Sequence, residues 1–274
     1  MKYVFIALLL TVLCSGQDAP APSTNSGSSS SSSQAIPVDQ ANQQKAKAVL
    51  NQAIQALGGD AYLHWTEMST EGRAYSFHHG QANSLGILFW RFREFPDKDR
   101  IEFTKKRDWW QIYNGDKGYE VTYKGVRNLD VKDELSPYLR RRHYSLDMVL
   151  RQWLNQPGIA LFYEGQTVAA QKEADQVTVM NNKNEGATIY VDINTHLPVK
   201  KSYSWRDPTD KERNVEDEIF DDYRPIQGIM TPFNTTRMFN GEMAAQTFLT
   251  DAKYNQNLSD SFFDPGQAKM AKKR

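Results

Sequence analysis

The sequence predicts an α+β fold: a curved antiparallel β-sheet, a half-open barrel of about a dozen strands, covered by an N-terminal helix and a mid-chain helix. Three observations predict it. Two stretches carry apolar residues at three-and-four spacing, so two main helices each have an apolar stripe to bury. Most of the remainder reads as short aromatic or β-branched runs bounded by turn residues. Between two of those runs stands Asn114-Gly115, whose tolerance of positive φ suits a tight antiparallel hairpin.

The first helix is expected from Asp39, a possible N-cap, to the stop at Gly58-Gly59, with Ala46, Val49, Leu50, Ala53, Ile54 and Leu57 on one stripe. Candidate strands then follow at 69–77, 85–95, 100–105, 109–113 and 119–123. The mid-chain helix is expected from the N-cap Ser145 to Pro157-Gly158, its apolar face made by Leu146, Val149, Leu150, Trp153 and Leu154. Further strands are expected at 159–163, 176–180, 188–193, 199–205, 215–223, 229–239 and 245–254. In the strand at 85–95 both faces are apolar over the first half, which requires cover on each side.

Residues 1–16 read as an export signal, with Lys2, the apolar run from Val4 to Leu13 and the small residues Ser15 and Gly16. Residues 17–37 are rich in Ser, Pro and Ala and read as a structureless tether, too polar to offset the entropy of ordering. Cys14, the single cysteine, is placed where a bacterial lipoprotein carries its lipid; Leu13 before it is larger than such signals use, and cleavage near Gly16 is the competing reading. The apolar run is too short to span a bilayer core of about 30 Å, so no transmembrane span is expected in the mature chain. The folded domain is expected over 38–266, with a basic C-terminal tail at 267–274.

Charge and motif content exclude several functions. Lys plus Arg and Asp plus Glu number 33 each, so no overall field draws the chain to nucleic acid. His-Glu-x-x-His, Gly-x-Ser-x-Gly and phosphate-binding Gly-rich patterns are missing, and no catalytic residue, metal or cofactor is expected. The acidic residues Glu216, Asp217, Glu218, Asp221 and Asp222 lack the spacing of a calcium loop and read as the wet face of a strand. The run Arg140-Arg141-Arg142-His143 before the second helix reads as a solvated loop or as a dock for an anionic partner or lipid headgroup. Aromatic residues make up 12 % of a chain whose mean hydropathy is −0.66. Phe89, Trp90, Phe92, Trp110, Met148, Leu150 and Trp153 are the candidate ligand-binding residues; periodicity alone does not distinguish a cavity lining from a filled core.

Several short motifs stand in order along the chain: Ala56-Leu57-Gly58-Gly59, Asn114-Gly115-Asp116, Tyr190-Val191-Asp192 and His196-Leu197-Pro198, then Phe220-Asp221-Asp222-Tyr223 and Ile226-Gln227-Gly228-Ile229 with Pro232. Asn257-Leu258-Ser259-Asp260 and Phe262-Phe263-Asp264-Pro265 close the series. In this order they resemble the LolA-like outer-membrane lipoprotein-sorting superfamily. The resemblance implies a helix-capped half-barrel whose apolar cavity accepts acyl chains, and it brings no catalytic residue. The expectation is therefore an exported, non-enzymatic carrier in the periplasm or cell envelope, its partner a lipid or lipoprotein acyl chain. The alternative is a tethered envelope scaffold or sensor that recognises another protein and has a solid core.

Overall fold

Fourteen strands form one open antiparallel sheet in the computed structural model, which describes residues 38–267. The expected signal segment, Cys14, the tether and the tail beyond residue 267 lie outside the described residues. Strand β1 (Glu67–His78) pairs with the short β2 (Gln81–Ala82) and with β3 (Ile87–Glu94). A meander then runs outward through β4 (Lys98–Phe103), β5 (Trp109–Asn114), β6 (Lys117–Thr122) and β7 (Gly125–Asn128). A second meander returns from β8 (Ala160–Ala169) through β9 (Lys172–Met180), β10 (Gly186–Asp192), β11 (Pro198–Arg206), β12 (Arg213–Ile226) and β13 (Ile229–Phe239) to β14 (Glu242–Tyr254). Because β14 pairs with β1, the two meanders become one curved sheet whose edges are β7 and β8.

Helix α1 (Val38–Leu57) forms where the periodicity places it, and all six residues of its predicted stripe are buried. Asp39 lies in its first turn, favourably placed toward the positive end of the helix dipole. The helix packs on β8, β9, β10 and β13, where Val177, Val179, Ala187, Ile189 and Phe233 complete the main core. It also closes an edge: Asn42 donates from Nδ2 to the Tyr163 carbonyl and accepts from the Tyr163 amide, both at 2.8 Å. This blocks part of β8 against pairing with another chain. Two of the sequence motifs meet here, since a Cβ on Gly58, whose φ is 129°, would stand 2.5 Å from the Gly228 carbonyl oxygen.

The sequence expectation omits the short α2 (Asp60–His64), β2 and β7, and it differs from the structure at three further places. The basic run at 140–143 is not a loop; it ends helix α3 (Ser136–His143), which follows α2 and a π-helical turn at Val131–Leu135 in chain order. Pro137 starts this helix well because a first-turn residue needs no intrahelical N–H partner, whereas the run of charges hides its apolar face. The mid-chain helix is shorter than expected: α4 (Leu146–Arg151), capped by Ser145 accepting from the Met148 amide, gives way to a 3-10 turn at Trp153–Asn155. Strands β8 and β9 are longer than expected because they join through Ala170-Gln171, both at positive φ (49° and 63°), a hairpin built without the usual Asn or Gly.

At the π-helical turn, Arg127 donates to Glu134 at 2.8 and 2.9 Å and the Asp130 amide donates to it at 2.7 Å. Those bonds hold the Glu134 carboxyl down at about 2. The folded value lies below the unfolded one, so this contribution is complete above the ordinary carboxylate range and is lost as the pH falls toward about 2. Urea unfolding followed across that window should lose stability less steeply in Glu134→Gln than in the parent; equal slopes would show the pairing to be inconsequential.

Candidate functional site

Strand alternation decides which residues reach the hollow of the sheet. In β3, Arg91 and Arg93 face inward, and Asp99 on β4, the register partner of Arg93, shares that face. In β11 to β13 the same face carries Lys201, Tyr203, Glu216, Glu218, Thr235 and Arg237. Helices α3 and α4 lie across it and contribute Tyr138, Arg141, Arg142, Asp147 and Met148. Together these enclose a cavity of about 260 Å³, with Trp65, Phe95 and Pro96 at one side.

Ion pairs line this cavity. Arg91 takes Asp99 through two nitrogens, and the Tyr138 hydroxyl donates to the same carboxylate at 2.9 Å. Arg93 takes Asp147 at 3.2 Å, so β3 is tied to α4. Lys201 takes Glu218 at 2.7 Å; burial alone would push that carboxyl up, but the lysine outweighs it and the net movement is down. Tyr62 donates to Asp147 at 3.1 Å, and burial with that carboxylate pushes its phenol up. Under α3, Tyr113 stacks on Tyr138 with ring centroids 3.4 Å apart, while Tyr144 stacks on Tyr203 at 4.2 Å. Thus the roof is held to the sheet by aromatic stacking and the wall by charge pairing.

Of the seven candidate ligand-binding residues, Met148 lines the cavity. Leu150 and Trp153 are each 1 % exposed and sit in the main core cluster, Trp153 against His143 and Tyr144. Phe89 is buried at the far end of β3. Trp90, Phe92 and Trp110 share the opposite face, since Trp90 and Trp110 both stand across from Glu102 and Phe92 stands across from Arg100. There Phe92 packs edge-on to Phe262 at 4.9 Å, and Arg100 lies over Trp110 at 3.9 Å and over Phe262 at 4.2 Å. The cover that the doubly apolar strand requires is thus supplied on this face by the closing 3-10 turn Asp260–Phe263, with Phe263 fully buried.

The charged cavity residues escape sequence reading for a physical reason. Glu216 and Glu218 alternate with Asp217 as a solvated strand would, yet Glu216 is only 4 % exposed because α3 roofs that face. The signal that was present is the pairing of Arg91 and Arg93 in one strand with opposite charge in its neighbour. Among the described residues no group of three or more acidic, His or Cys side chains is arranged to hold a metal ion. His143 pairs with Glu185 at 2.9 Å and His79 with Glu242 at 3.4 Å, each at the surface. No described helix is long and apolar enough to cross a membrane.

No family model matches the chain, and no curated protein matches it in sequence. Solved structures do resemble it. A DUF1329 family protein from Desulfovibrio piger superposes with a TM-score of 0.55 at 15 % identity, covering 80 % of this chain and 97 % of that one. A putative outer membrane lipoprotein-sorting protein domain from Vibrio parahaemolyticus superposes with a TM-score of 0.52 at 9 % identity, covering 81 % and 98 %. A LolA superfamily protein from Nitrosomonas europaea covers 80 % and 96 % at 10 % identity and a TM-score of 0.49. The first two have one fold in common with this chain, an open antiparallel sheet with a helical cover.

Proposed function

We propose that this chain is an exported, non-enzymatic binding protein of the cell envelope that carries a lipid or lipoprotein acyl chain beneath α3 and α4. The observation that carries this reading is the roofed cavity of about 260 Å³ on the concave face of the sheet. Concave, partly apolar spaces with a few placed polar groups are where small ligands bind, and the fold is that of a lipoprotein-sorting domain. Met148, Trp65, Phe95 and Pro96 supply apolar contact at one side. Each methylene buried there is worth about 0.8 kcal/mol, so a short stretch of acyl chain gives useful affinity. Entry requires α3 or α4 to lift, because both lie across the opening.

Native mass spectrometry with organic extraction tests the proposal on the full chain exported to a bacterial periplasm and purified without detergent. The expected result is a co-purifying amphiphile whose occupancy falls in Met148→Asp with the fold retained. A clean apo mass, together with no binding of a fluorescent fatty acid, would overturn it. One observation favours a second reading, an envelope scaffold or sensor for another protein: Leu150 and Trp153, expected near a ligand, lie in a solid core. That reading gains if the apo outcome is found.

A further inference from the structure

The carrier reading leaves one group of residues unused. Along the cavity, Arg91, Arg93 and Lys201 each have a carboxylate within 3.2 Å. Arg237 does not: Glu216 stands 3.9 Å away, at the limit of an ion pair, and burial followed by the neighbouring charge of Arg141 holds the Arg237 guanidinium below its ordinary value. Arg141, projecting from α3, makes no ion pair among the described residues while lining the same cavity. Two guanidinium groups thus approach each other, and the carboxylates facing Arg237 are Glu216 at 3.9 Å and Glu218, which is already paired with Lys201, so like-charge repulsion is relieved when a further anion joins them.

A second observation lies beside them. The side chain of Tyr203 is 4 % exposed and lines the cavity; its hydroxyl lies near the Glu216 carboxylate but completes no hydrogen bond of good geometry. Buried hydroxyls without a partner are uncommon, because each one forfeits its hydration for nothing. Thr235 and Thr247 contribute further hydroxyls to the same lining. Meanwhile Arg140, next to Arg141, is held over the Trp205 ring at 3.8 Å, which fixes the helix turn that presents Arg141.

The geometry points to an anionic headgroup site formed by Arg141, Arg237 and the Tyr203 hydroxyl, which takes the phosphate of an amphiphile whose chain lies toward Met148 and Trp65. Arginine is suited to the role because its planar fork donates two parallel hydrogen bonds to phosphate oxygens. The neutral Tyr203 donates a third. This assignment rests on the carrier reading and names its ligand class.

Isothermal titration calorimetry of the full chain with octyl phosphate, 1-octanol and inorganic phosphate separates the possibilities. Octyl phosphate is expected to bind at least tenfold tighter than either of the others. Arg141→Gln and Arg237→Gln should each cost about tenfold toward octyl phosphate and leave octanol unchanged, with Arg141→Lys recovering part of the loss. Tyr203→Phe, which keeps the ring stacked on Tyr144, should cost several-fold and guards against a folding failure of the Arg237 variant. Equal affinity for octyl phosphate and octanol in every protein would overturn the headgroup site and leave the carrier reading standing. Inorganic phosphate binding as tightly as octyl phosphate would overturn the amphiphile assignment. Binding of none of the three would overturn both.

Discussion

Trp153→Ala should destabilise the protein by about 3–5 kcal/mol, the cost of emptying a buried indole site that cannot collapse. The indole is 1 % exposed. It packs against Tyr144 at 5.4 Å and against His143 at 5.0 Å, and Tyr144 in turn stacks on Tyr203 at the cavity wall. Losing it therefore removes apolar burial and loosens the stack through which the α3–α4 turn holds the sheet. Since domains of this kind are stable by about 5–15 kcal/mol, one substitution removes a large share. Urea unfolding should show a lower midpoint at an unchanged slope. The contrast is Trp90→Ala on the opposite, half-exposed face, where the indole donates to Glu71 at 2.8 Å and the expected loss is about 1 kcal/mol. A loss below about 1 kcal/mol in Trp153→Ala would mean that the indole faces a lumen rather than a core.

That contrast also marks how far the sequence was legible. Elements with a strong period were read correctly: the stripe from Ala46 to Leu57 became the buried face of α1, and the hairpin expected at Asn114-Gly115 is the β5–β6 connection, its turn falling one residue later at Gly115-Asp116, with Gly115 at φ 59°. The motif resemblance likewise predicted the open, helix-covered sheet. Local pattern failed where tertiary cover reversed its meaning. Arg140 to His143 are a run of basic residues, and nothing local reveals that Tyr138, two residues before Arg140, buries against Tyr113 and makes that segment a helix. Similarly, Phe92 and Trp110 are as aromatic as any cavity lining, but the strand register sends them to the face that Phe262 covers. Which side of a sheet is the hollow is a property of the whole sheet's curvature, and period-two alternation is the same on both sides. The cavity's charges were hidden for the same reason, since Glu216 and Glu218 differ from solvated strand residues only in what lies above them.

Asp99→Ala is the second substitution expected to have a large effect, because Asp99 joins the sheet to its roof. Its side chain is 2 % exposed and accepts from Arg91 at 3.0 and 3.1 Å and from the Tyr138 hydroxyl at 2.9 Å. Burial alone would lower Arg91, and Asp99 outweighs it and raises the guanidinium well above its ordinary value; when Asp99 is lost that support goes, but a guanidinium is basic enough to stay charged. Removing one member of a buried pair costs about 3–5 kcal/mol, since the remaining charge is left uncompensated. Arg91 is 38 % exposed, so water reaching it through the cavity should screen part of that penalty and bring the loss to the low end, near 3 kcal/mol. The double variant Arg91→Met with Asp99→Leu removes both charges together and should recover most of the loss, leaving only the unpartnered Tyr138 hydroxyl. Because Tyr138 belongs to α3, hydrogen exchange should quicken over residues 136–143 in the single variant while α1 keeps its protection. That local loosening would weaken octyl phosphate binding through Arg141 without touching Arg237. If the single and double variants lost the same stability, the cost would come from packing alone, and the ion pair would not be what clamps α3 to the sheet.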